Sequence, residues 1–68
     1  MTQVELLYDL LRQNGSFTGM EAIEAGVMNY KGRVADLREL GVPIDTVYET
    51  TKNRFGRTIK YARYVYRG

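Results

Sequence analysis

Apolar side chains recur at helical spacing as far as Leu40 and alternate with polar ones from Ile44 onward. The chain therefore reads as helices followed by strands. Its first stripe is Val4, Leu7, Tyr8 and Leu11, widened by Leu10. Thr2 and Glu5 stand at the spacing of a capping box, in which a threonine hydroxyl and a glutamate carboxylate satisfy first-turn amides reciprocally. This predicts a helix from Thr2 to Gln13, ended by Asn14-Gly15. Leu6 lies off the stripe and is expected to be partly exposed, with a dimer contact as the alternative. Ser16-Phe17 reads as a short extended link whose Phe17 points into the core. Thr18 and Glu21 form a second capping box, opening a short helix through Ala25 with Met20, Ala22 and Ile23 as its apolar positions. Gly26 makes the turn that follows.

The stretch 27–41 organises the rest. Val27, Tyr30, Val34, Leu37 and Gly41 fall on one face of a helix expected over 29–40. Asn29 is expected to cap its start, and Gly41 supplies the left-handed residue that ends it, with Pro43 just beyond. The opposite face carries Met28, Gly32, Ala35 and Glu39, flanked by Asn29, Lys31 and Asp36. A merely solvated face usually shows long charged residues instead. Gly32 costs such a helix about 1 kcal/mol relative to alanine. A slim outward face lets the backbone approach another surface closely, and that surface is expected to be DNA.

Beyond Gly41, Ile44–Glu49 and Thr58–Tyr66 are rich in β-branched and aromatic residues. The segment 50–57 between them is polar and basic, with Gly56 placed for a turn. These features predict a two-stranded hairpin with a long cationic tip, whose Ala62, Tyr64 and Tyr66 pack on the helices. The expected fold is α+β, one domain over residues 1–68, with three helices followed by a two-stranded β-hairpin.

Charge sharpens this picture. Residues 1–30 carry Arg12 against Glu5, Asp9, Glu21 and Glu24, whereas residues 31–68 carry nine basic residues against four acidic ones. From Thr50 to the end there are six basic residues and no acid. Such asymmetry fits a basic face directed at a polyanion, or a solvated basic hairpin. The chain has no cysteine and no histidine, which excludes disulfides, thiolates and histidine–metal sites; no metal or cofactor is expected. Without histidine or cysteine no nucleophile sits in a recognisable catalytic frame, and no Gly-rich phosphate loop is present, so an enzyme is not expected. No apolar run approaches the ~20 residues of a bilayer span, and no signal peptide is visible, so the expected compartment is the cytoplasm, with no membrane partner.

Candidate contact residues follow from the helix and the hairpin. Asn29 has the chemistry to read an adenine edge, or it only caps the helix; Lys31 suits guanine or phosphate, or is simply solvated. Arg33 and Asp36 stand three apart and suit an ion pair on the helix surface. Arg38 suits the helix C-terminus and is also within the set that can meet phosphate. Lys52, Asn53, Arg54 and Arg57 are the phosphate or minor-groove candidates of the tip. Phe55 is expected to be exposed or folded back onto the hairpin, with a wedge at a base step as a further reading. Of the six tyrosines, Tyr8, Tyr30, Tyr64 and Tyr66 stand at core spacing, leaving Tyr48 and Tyr61 as a candidate exposed patch for single-stranded nucleic acid.

Three helices and a hairpin form the winged helix-turn-helix layout. The series Leu7–Leu11, Gly15–Ile23, Gly26, Arg33–Arg38, Gly41–Ile44, Asn53–Gly56 and Ala62–Tyr64 resembles a family of small helix-turn-helix domains common in bacteriophage and prophage genes. Gly19 departs from it, standing where the family often has proline. Asn29, Lys31 and Gly32 occupy positions that vary within it, so no target sequence carries over. The resemblance implies a winged-helix protein that binds double-stranded DNA in a bacterial host cell, as a phage transcription regulator or recombination accessory factor. Helix 29–40 would enter the major groove through Asn29, Lys31, Gly32, Arg33, Ala35 and Arg38, with the 50–57 wing on phosphate or minor groove. A module this small would need a homodimer or adjacent sites for tight specific binding. The alternative is a protein-interaction module that binds a host protein through the same scaffold, using the acidic surface of the first two helices.

Overall fold

A computed structural model describes residues 2–68. Helix α1 spans Gln3–Asn14, strand β1 Ser16–Thr18, helix α2 Gly19–Glu24, helix α3 Tyr30–Glu39, strand β2 Ile44–Lys52 and strand β3 Thr58–Tyr66. The sheet has three strands in the order β1-β3-β2, antiparallel throughout, not the two expected from the sequence. The expected link Ser16-Phe17, together with the capping Thr18, pairs with Arg63–Val65 of β3. Three residues are too few to show an alternating pattern, so the strand is set by its partner and not by local sequence.

The helix boundaries follow their caps. Thr2 Oγ1 accepts from the Glu5 amide at 3.2 Å, and Gly15 closes α1 in the left-handed region at φ 77°. Thr18 and Glu21 form the full reciprocal box at the start of α2. Helix α3 ends in a Schellman motif. Gly41, at φ 91°, donates to the Arg38 carbonyl and Val42 to that of Leu37, both at 3.0 Å. Leu7, Leu11, Phe17, Ala22, Val27, Val34, Leu37, Ile44 and Tyr64 make the buried core. The Phe17 and Tyr64 rings lie 5.2 Å apart at its centre. Ala62 and Tyr66 pack against this core from the same face of β3, as their alternation predicts.

Strands β2 and β3 pair without a break from Ile44↔Tyr66 to Lys52↔Thr58. The loop is thus Asn53–Arg57, shorter than the 50–57 tip expected. Because the hairpin runs well past the core, the molecule is elongated, 39 Å in its longest dimension against 22 and 20 Å.

Candidate nucleic-acid interface

Helix α3 buries Val34 and Leu37 and leaves Ala35 and Lys31 exposed. Its outer flank does not face open space alone. An open groove of about 1110 Å³ runs between α2, α3 and the hairpin. Lys31, Ala35 and Arg38 line it from α3, Met20 and Ile23 from α2, and Thr46, Tyr48, Thr51 and Lys60 from the sheet. The hairpin as far as Tyr48 and Lys60 therefore borders the same groove as Lys31, Ala35 and Arg38 of α3.

Asn29 occupies the first non-helical position of α3 at φ −96°, ψ 55°, and its side chain makes no capping hydrogen bond. The capping expectation is corrected here: outside the extended region, the side chain is not aimed at the first-turn amides. Its amide instead lies over Gly32. A methyl group built on Gly32 would stand 2.8 Å from Asn29 Nδ2 and 3.1 Å from Oδ1. The missing Cβ of Gly32 thus seats Asn29, and both polar atoms of the exposed Asn29 amide remain available.

A second glycine fits closely against α3. A Cβ on Gly19 would meet the Tyr30 phenol oxygen at 2.5 Å. The missing Cβ of Gly19 thus leaves room for the end of the Tyr30 ring.

The basic residues divide into two groups that charge counting cannot separate. The Arg38 guanidinium donates to the Ile44 carbonyl from Nε at 3.2 Å and from Nη2 at 3.0 Å, and Nη2 also reaches Thr46 Oγ1 at 2.9 Å. It pins the end of α3 to the start of β2 through Nε and Nη2, while the residue itself stays exposed. Arg33 Nε lies 3.1 Å from Asp36 Oδ2, the ion pair its spacing suggests. Arg63 bridges three elements: Nε donates to Glu49 at 2.7 Å, and Nη1 donates to Ser16 Oγ at 3.1 Å and lies 3.6 Å from Glu21. That hydrogen bond from Arg63 holds the Glu49 carboxyl below its ordinary value, and the same bond raises the Arg63 guanidinium. Arg67 pairs with Asp45 at 2.8 Å. Lys31, Lys52, Arg54 and Arg57, by contrast, are exposed and have no hydrogen-bonded or ion-paired side chain among the described residues.

The wing tip is an ordered turn. Asn53 Oδ1 accepts from the amides of Phe55 at 2.9 Å and Arg57 at 3.1 Å. Asn53 is thus the brace of the tip, with its oxygen committed to the turn and its Nδ2 donor making no hydrogen bond among the described residues. The expected patch of Tyr48 and Tyr61 does not form. Tyr48 pairs across from Ala62 and Tyr61 from Glu49, so the two rings point to opposite faces of the sheet. Tyr48 stays on the groove side, with Lys60 Nζ 4.6 Å above its ring.

Among the described residues no acidic cluster could hold a metal ion, and no helix is long and apolar enough to cross a membrane. No curated protein and no solved structure matches the chain. A family model described as a winged helix-turn-helix domain matches residues 2–67. With three helices, a β-hairpin wing and this match over almost its whole length, the chain belongs to the winged helix-turn-helix domain family.

Proposed function

We propose that the protein binds double-stranded DNA, with α3 in the major groove and the wing on adjacent phosphate or minor groove. The observation that carries this reading is the shared groove: Lys31 and Ala35 of α3 line it together with Tyr48 and Lys60 of the hairpin. A helix with a slim flank fits a major groove about 12 Å wide, and a cationic arm beside it meets the backbone that borders the groove. Asn29 reads a base edge, Lys31 meets guanine or phosphate, and Gly32 and Ala35 permit the close approach. Lys52, Arg54 and Arg57 neutralise phosphate. Arg33, Arg38 and Asn53 support this surface through the fold. The role that fits is a phage regulator or recombination accessory factor in a bacterial cytoplasm, acting as a homodimer or on adjacent sites.

Fluorescence anisotropy with a labelled duplex at several salt concentrations tests the reading. Binding should weaken steeply with salt, and the double variant Lys31→Glu, Arg54→Glu should lose most of it while keeping its fold. Absence of duplex binding by the folded wild-type protein overturns the reading. Recovery of a bacterial host protein on the acidic α1–α2 surface would then favour the interaction-module alternative.

A further inference from the structure

We propose that Phe55 is a wedge that enters a base step of the minor groove beside the wing. The inference rests on the duplex-binding reading and adds to it a specific mechanical act.

Phe55 is 79% exposed, the most exposed large apolar side chain among the described residues. Its ring has no aromatic partner among the described residues. An aromatic side chain buries 150–250 Å² when it finds a site, so one left at an apex offers a large apolar contact to whatever the apex meets. The apex is also stiff. Strand pairing continues to Lys52↔Thr58, and the Asn53 amide donates to the Arg57 carbonyl at 2.9 Å. Gly56 donates to the Asn53 carbonyl at 3.0 Å and takes the φ of 76° that the turn requires. With Asn53 Oδ1 bracing the Phe55 amide as well, the tip is held before any partner arrives, which lowers the entropy lost on insertion.

Charge complementarity names the partner. Arg54 adjoins Phe55, Arg57 lies two residues on, and no carboxylate occurs from Thr50 to the end of the chain. Cations that flank an exposed ring along the chain match a ligand that carries phosphates beside an apolar cleft. A base step viewed from the minor groove is such a ligand, and apolar side chains that enter one unstack it and kink the duplex. Pyrimidine–purine steps open most readily, so they are the expected site.

A duplex carrying the fluorescent base 2-aminopurine at successive positions tests the wedge, with binding followed in parallel by anisotropy. Wild-type protein should raise the fluorescence several-fold at one step, because unstacking relieves quenching. Phe55→Ala should abolish that rise and weaken binding about tenfold, with no change in the salt slope, since Phe55 neutralises no phosphate. Duplex binding by wild type without a fluorescence rise overturns the wedge and leaves duplex binding standing. So does equal binding by wild type and Phe55→Ala. A wild-type protein that ignores the duplex overturns the duplex reading itself.

Discussion

The Asn29 side chain lies against Gly32, in the space where any other residue would place its Cβ. One turn of α3 thus gives up helix propensity to seat a polar amide on its outer side. Gly32→Ala adds helix propensity worth up to about 1 kcal/mol. The displaced group is the end of a flexible side chain, so its eviction costs little. Denaturant unfolding should show stability unchanged or increased by up to that amount. Affinity for a duplex selected from a random pool should fall about tenfold, the loss of one base-edge contact, with affinity for arbitrary duplexes kept. Equal loss on both, or on neither, removes Asn29 from base reading.

Arg38 offers a separate test of which cations serve the fold. Its guanidinium meets one backbone carbonyl from two nitrogens, a geometry that lysine cannot copy. Arg38→Lys should lower stability by about 1 kcal/mol, read as a shift in the denaturation midpoint, and leave the salt slope of DNA binding as in wild type. If Arg38 contacted phosphate instead, Arg38→Ala would reduce that slope by about one unit.

Glu49 and Arg63 give stability a pH dependence. The folded-state carboxyl is held below its ordinary value of 4.5, first by the hydrogen bond from Arg63. A lowered carboxyl pKa contributes stability that is fully present above the unfolded value and is lost as pH falls through the folded one. Unfolding midpoints measured from neutral pH downward should therefore fall below about pH 4.5, and Glu49→Gln should lessen that fall. Tyr64 acts at the other end. Burial raises its phenol above 10.0; the matching stability is present below that value and is lost as pH rises past it. Tyr64→Phe should blunt the alkaline loss.

Much of this fold is legible locally. Thr18 with Glu21, and Gly15 and Gly41 at the helix ends, act through neighbours within a few residues, so their spacing alone announces them. Val34, Leu37 and Tyr64 declare the core by period. What the sequence hides is long-range. Ser16–Thr18 becomes a strand only because β3 passes beside it, and Arg63 Nη1 finds Ser16 across 47 positions of chain. Arg38 and Arg63 look like Lys31 and Arg54 in a charge count. Only folding divides them into cations hydrogen-bonded within the scaffold and cations without such partners among the described residues. Asn29 hides its role for a related reason: its type suits a cap, but its side chain makes no capping hydrogen bond and lies against Gly32.

The central claim is that the outer flank of α3 and the wing form one surface for a duplex. Backbone amide chemical-shift mapping by NMR, as a duplex is titrated into the protein, tests it most directly. The account predicts perturbations concentrated at residues 28–35 and 52–57, with little change along the acidic face of α1. Perturbations confined to α1 and α2, with the wing tip silent, would contradict it.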